Sequence, residues 1–224
     1  MTTAQYRRRA LLQALTSAGL LGGAGISGLI GKSLAAESSS AVQGIRRLSG
    51  KVTVNGASAV EGVLIRPGDT VVTAANSQAA YVMGQDAFLQ RAQSRVSFGD
   101  SAAAGVMRVI SGKLLSVFGK GQKHILTPTA TIGIRGTGCY IEAEAALVYF
   151  CLCYGEADLE PTAASAERET IRTSHHDHPL YIHSDMNMPK MMVPAPAINH
   201  TDAELSLLEN LVGRRPPFDG SGSY

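Results

Sequence analysis

Tryptophan is absent from this 224-residue chain, and the aromatic residues together make up only 5% of it. With so few large rings, a core must be filled mainly by aliphatic and small side chains. Charge of one sign is also lacking. Four of the 20 basic residues, Arg7, Arg8, Arg9 and Lys32, fall within residues 1–36, which hold no acid, so the remainder carries 16 bases against 18 acids. A nearly balanced remainder has no basic stripe of the kind that neutralises phosphates, which excludes nucleic acid as a partner. The catalytic signatures are missing too: there is no Gly-x-Ser-x-Gly elbow, Walker-type phosphate loop, Cys-x-x-Cys-His or His-Glu-x-x-His. The acids Glu142, Glu144, Glu156, Asp158 and Glu160 read as the wet side of strands. The expectation is a protein that binds and does not catalyse.

What the first 36 residues do contain is an arginine run followed by a weakly apolar stretch from Ala14 to Ile30, interrupted by glycines. Arg8-Arg9 before Leu11-Leu12 resembles a twin-arginine export signal, and Ser33-Leu34-Ala35-Ala36 offers small residues for cleavage. Glycines at 19, 22, 23, 25, 28 and 31 lower hydrophobicity and helix propensity and favour a removed leader over a stable membrane span. The mature protein is therefore expected in the periplasm or outside the cell, touching a membrane only through an uncleaved leader. There, three cysteines permit one disulfide and leave one thiol over.

Beyond residue 44 the sequence reads as short strands and tight turns. Val52-Thr53-Val54 before Asn55-Gly56 predicts a hairpin running on through Val60 to Ile65, because both turn residues tolerate positive φ. Arg66-Pro67-Gly68-Asp69 predicts a second turn. Further strands are expected at 70–73, 78–83, 87–91, 94–98, 106–110, 113–118, 123–126, 130–134, 138–143 and 146–153, giving a mostly β fold of stacked or sandwiched antiparallel strands. Residues 161–224 read as a polar extension, with strands near 170–173 and 180–183. It ends in a helix at about 201–212, where Thr201-Asp202-Ala203-Glu204 fits a capping box and Leu205, Leu208, Leu211 and Val212 form an apolar stripe for docking.

Two segments carry a family resemblance. Leu64-Ile65-Arg66-Pro67-Gly68-Asp69-Thr70-Val71-Val72-Thr73 followed by Asn76-Ser77-Gln78-Ala79, and Ile132-Gly133-Ile134-Arg135-Gly136-Thr137, resemble the two signatures of the FecR domain, over roughly residues 44–160. The resemblance implies a periplasmic β domain that senses or binds an envelope protein or a carbohydrate. The family's anti-sigma regulators add a cytoplasmic domain, for which the nine or so residues before the apolar stretch are too few, so that role is not expected here. Arg135 is expected to be buried, satisfying carbonyls or a carboxylate, with Arg135→Ala destabilising.

One constellation could carry chemistry. Cys151 and Cys153, at i and i+2 of an expected strand, face the same side. Five of the six histidines lie beyond residue 174, and Met186, Met188, Met191 and Met192 fall among them. Thiolate and imidazole suit zinc, and with thioether they suit copper(I). The metal-binding expectation names Cys151, Cys153, His175 and His176 as ligands, ahead of the methionines. Two small buried thiols and a solvated histidine loop are the competing reading. A disulfide from Cys139 to the 150–151 region is a third, and a one-residue slip in register would forbid it.

Overall fold

The computed structural model describes residues 41–100 and 105–218. The leader, with Arg8 and Arg9, lies outside the described residues. Fourteen strands form a single connected sheet: β1 (Gly44–Ser49), β2 (Val52–Val54), β3 (Ala57–Ser58), β4 (Thr70–Thr73), β5 (Gln78–Met83), β6 (Asp86–Gln90), β7 (Ser94–Phe98), β8 (Val106–Val117), β9 (Gln122–Leu126), β10 (Ala130–Ala143), β11 (Leu147–Pro161), β12 (Glu169–Thr173), β13 (Leu180–His183) and β14 (Met192–Pro194). One helix, α1 (Asp202–Leu211), follows. The protein is mostly β, with a short C-terminal helix. No described helix is long and apolar enough to cross a membrane.

Local signals in the sequence act as read. Asn55 and Gly56 take φ of 51° and 82°, closing the β2–β3 hairpin, and Gly68 takes 90° in the turn where the Asp69 amide donates to the Arg66 carbonyl. The hairpin's second strand is only two residues long, however, and 60–65 is an irregular segment whose Val63 carbonyl accepts from the Ile45 amide.

The long strands were expected in halves. The segments expected at 106–110 and 113–118 merge into one strand, β8, which ends at Val117 and passes through Gly112, where φ is 85° and a Cβ would lie 2.5 Å from the Ser94 Cα. Segments 130–134 and 138–143 are likewise one strand, β10, with its register to β11 shifting between Arg135 and Gly138. A sequence window ends a strand at such glycines, while in β10 the ladder runs on through a bulge and in β8 Gly112 itself pairs with Ala143. β11 then continues past 153 to Pro161, pairing with β13 along its first half and with β12 along its second. Residues after 160 thus extend the same sheet.

The Arg135 expectation is corrected. The side chain is exposed at the bulge and makes no hydrogen bond or ion pair among the described residues. Arg135→Ala should therefore leave the urea midpoint within the scatter of ordinary surface substitutions. A clear loss of stability would show that the guanidinium has a partner.

The sheet is buried on both faces. Ile132, Ile134, Cys139, Ile141, Phe150, Leu152 and Leu159 belong to the main core. Their neighbours in alternation, Tyr140, Cys151 and Cys153 with Leu89, Leu115 and Val117, are equally buried on the other face. α1 packs against β6 and β8, with Leu205 and Leu208 fully buried. The expected stripe is therefore centred on Leu205 and Leu208, while Leu211 and Val212 are only half-buried. The capping box is formed: Thr201 Oγ1 accepts from the Glu204 amide at 3.3 Å, and Glu204 Oε2 accepts from the Thr201 amide at 2.9 Å. Glu209 anchors the helix end by accepting from Tyr154 and from Arg214 Nε.

Candidate metal centre

β11 supplies the two sulfurs. Because strand side chains alternate, Cys151 and Cys153 point together to the helix side and are fully buried. Cys139 stands opposite Leu152, one step off Cys151, and belongs to the main core on the opposite face. All three cysteines are free. The register thus excludes the disulfide that the sequence left open, and burial pushes the Cys139 thiol up.

Two histidines are brought to the sulfurs by unusual backbone. His176 sits in the turn after β12 with φ of 54°, held by a hydrogen bond from its amide to the Cys153 carbonyl at 3.0 Å. Asp177 clasps that turn, accepting from Thr173 Oγ1 at 2.7 Å and from the Ser174 amide at 3.1 Å. His200 follows Asn199, itself at φ of 58°, and immediately precedes the helix cap. Positive φ at two non-glycine residues flanking one buried group is strain of the kind found at functional sites.

Cys151 Sγ, Cys153 Sγ and one ring nitrogen each from His176 and His200 lie within 4.8 Å of one another. His176 Nδ1 stands 3.4 Å from Cys151 Sγ and 2.9 Å from His200 Nε2. The opposite ring nitrogens face oxygen atoms. His200 Nδ1 lies 2.6 Å from the Ile198 carbonyl oxygen, and His176 Nε2 lies 3.3 Å from Asp202 Oδ1. These outer contacts assign the outer protons, so both inner nitrogens present lone pairs to each other and to sulfur. The ring of His200 is fixed further by stacking on Tyr140 at 4.7 Å.

The interaction with the Cys153 side chain, reinforced by His176 and His200, outweighs burial and lowers the Cys151 thiol to about 3. Burial drives Cys153 well above its ordinary value. A thiolate beside two imidazoles is a metal ligand in waiting, and it is also the first member of a Cys151–His176–Asp202 line resembling a nucleophile, base and orienting carboxylate. Cys151 is 0% exposed, so a substrate could reach its sulfur only if the helix entry opened.

Of the four ligands named from sequence, three converge. His175 does not join the sulfurs: its Nε2 lies 3.0 Å from Asp202 Oδ2, on the outer side of His176. His200 takes the fourth place. The sequence offered a signal for it, since a histidine directly before a capping box is held at a fixed helix entry. Two of the methionines lie elsewhere: Met186 is exposed, and Met192, in β14, packs against the main core on the other side of the sheet. His178 is exposed and His183 lies in β13.

The arm that carries His200 has its own anchors. Asn199 Nδ2 donates to Glu142 at 2.7 Å, and Arg91 donates to the Asn199 carbonyl at 2.7 Å and to Glu204 at 2.9 Å. Burial pushes the Glu142 carboxyl up, but hydrogen bonds from Asn199, Tyr140 and Lys113 outweigh it and hold the group below its ordinary 4.5. A carboxyl depressed in the folded state stabilises fully above its unfolded value and loses that contribution as pH falls through the lower folded value. Urea midpoints should therefore fall below about pH 4.5, and Glu142→Gln should flatten that part of the profile. An unchanged slope in the variant would remove Glu142 as an acid-sensitive anchor.

No family model matches the chain, and no curated protein does. Among solved structures, two crystal structures of a protein provisionally described as an anti-sigma factor from Parabacteroides distasonis are similar, each at 8% identity with a TM-score of 0.46. Each match covers 56% of this chain and 59% of the other, so the chain spans less than two thirds of the length of the structures it matches.

Proposed function

We propose that this chain is an exported, non-catalytic binding module of FecR-like character, built around a buried zinc site formed by Cys151, Cys153, His176 and His200. The observation that supports this is the pair of imidazoles whose outer nitrogens are committed to Asp202 and to the Ile198 carbonyl while their inner nitrogens stand 2.9 Å apart. Metal-bound histidines carry this pattern, the outer N–H donating to a carboxylate or carbonyl and so fixing the ring. A proton can bridge only one pair among the four inner atoms. A divalent ion satisfies all four at once, and two thiolates neutralise its charge.

Zinc is favoured over copper(I) by the donor set and its enclosure. Two sulfurs and two nitrogens, supplied wholly by protein and shut from solvent, suit a closed tetrahedral site. Bonds of about 2.0–2.1 Å to nitrogen and about 2.3 Å to sulfur place tetrahedral donors about 3.3–3.8 Å apart, a spacing reached from the present group by shifts of about an ångström or less. Met186 and Met192, two of the thioethers that would favour copper(I), are not gathered here. The site would tie β11, the turn after β12 and the entry to α1 together, giving the helix side of the sheet a metal-dependent stability. The FecR-like segments add the reading that the domain works beside an envelope protein or a carbohydrate.

Cobalt(II) tests the centre directly. Added to the reduced full-length protein, it should bind one per chain with a thiolate charge-transfer band and the intense visible bands of a tetrahedral site, and one equivalent of zinc should bleach both. Weak octahedral bands, or a spectrum unchanged in Cys151→Ser/Cys153→Ser, would defeat the assignment.

A further inference from the structure

On the main-core side of the sheet, away from the cysteine face, a cavity of about 300 Å³ opens beside the turn joining β8 to β9. Its inner wall is apolar: Phe88, Phe98 and Phe118 pack edge to face, with ring centroids 5.5 and 5.7 Å apart, and Met83 and Met107 complete it. Such a space is at the lower end of small-molecule sites and accommodates a body of about ten carbon atoms.

The polar groups at its rim are few and of one effective sign. Asp86 is nearly buried, and both of its oxygens are used, one by the Gly119 amide at 2.9 Å and the other by Lys123 Nζ at 2.6 Å. That contact fixes the Lys123 ammonium at the cavity and leaves it two further donors. Lys120, three residues before it on the turn that leads into β9, is exposed and has no ion-pair partner among the described residues. With the carboxylate already satisfied, the charge left to a ligand is positive.

We propose that this cavity binds a small amphipathic anion, its aliphatic or aryl body lying between the phenylalanine rings and its carboxylate meeting Lys123 and Lys120. The apolar wall supplies contact area and the two ammonium groups set orientation, which is the division of labour in ligand pockets generally. A neutral analogue keeps the first and loses the second.

Decanoate, decanol and decyltrimethylammonium, each below its micelle concentration, are the probes for calorimetric titration of the full-length protein. Decanoate should bind once per chain and at least about tenfold more tightly than decanol, the cation binding weakest. Lys120→Glu, an exposed change that spares the fold, should weaken decanoate about fivefold or more and raise affinity for the cation. Met83→Trp, which fills the cavity from its half-buried wall, should abolish decanoate binding, and as the only tryptophan it reports by fluorescence whether the chain has folded. Equal affinity for the three probes, no decanoate binding, or binding unaltered by Lys120→Glu overturns the proposal. Binding that survives Met83→Trp in a folded chain places the ligand elsewhere and overturns it too.

Discussion

Zinc should raise the melting temperature of the reduced full-length protein by on the order of 10 °C once free metal exceeds its dissociation constant a thousandfold. The expectation follows from mass action. Ligand that binds only the native state contributes about 4 kcal/mol at that concentration, and a domain of this size shifts by about 2–4 °C per kcal/mol. The native state alone assembles the site, because its donors come from positions 151, 153, 176 and 200, spread over three segments that an unfolded chain does not hold together. Each tenfold increase in free zinc should add a constant increment, the signature of linkage. The increment should shrink in acid, since protons compete with metal for the two sulfurs. Cys151→Ser/Cys153→Ser should melt at one temperature whatever the zinc concentration. If the double variant responds as the parent does, metal binds outside this group and the cysteines are only core. A larger response to copper(I) than to zinc would keep the site and change its ion.

Much of the fold is legible in sequence because its signals are local. The Asn55-Gly56 hairpin, the Pro67-Gly68 turn and the Thr201–Glu204 capping box each fall within four residues, and the structure forms all three. Strand ends differ from the short-window reading at two glycines: at Gly136 a bulge interrupts β10 while β11 carries the ladder across, and at Gly112 β8 passes from pairing with β7 to pairing with β10. Arg135 was misread for a related reason. Alternation from Ile132 and Ile134, which face the core, already puts Arg135 on the opposite side of β10, and at the bulge that side is open to solvent.

The candidate site divides along the same line. That Cys151 and Cys153 share a face follows from strand geometry, and the identity of that face as the helix side follows from a register the sequence does not state. His176 rather than His175 turns inward because its own φ is positive, a conformation the local sequence does not demand. His200 lies 24 residues beyond His176, and only the docking of α1 on β6 and β8 brings it to the sulfurs. Clustering histidines by proximity along the chain therefore selects one correct neighbour and one that serves from outside.

His200→Ala and His175→Ala should separate cleanly in zinc affinity. His200 presents a lone pair to the inner group and has no other metal-facing role, so its loss leaves three donors and a vacancy that water must fill in a dry site. Affinity should fall by two orders of magnitude or more, about 3 kcal/mol, and the cobalt spectrum should lose its tetrahedral intensity. His175 stands behind Asp202, whose carboxylate also meets the outer nitrogen of His176, so His175→Ala should change affinity only a few-fold and leave the cobalt spectrum intact. Asp202→Asn falls between them. The amide can still present an oxygen to His176, but it removes the charge that raises the ring's basicity, and a loss of about 10–100-fold is expected, with the tetrahedral spectrum retained. Melting curves of the metal-free variants control for packing, since His200 also stacks on Tyr140 and its removal would lower stability even in a protein that never bound metal. A loss of affinity in His175→Ala equal to that in His200→Ala would mean that the two rings exchange places in solution, and the inner group would have to be redrawn around His175, His176 and Asp202.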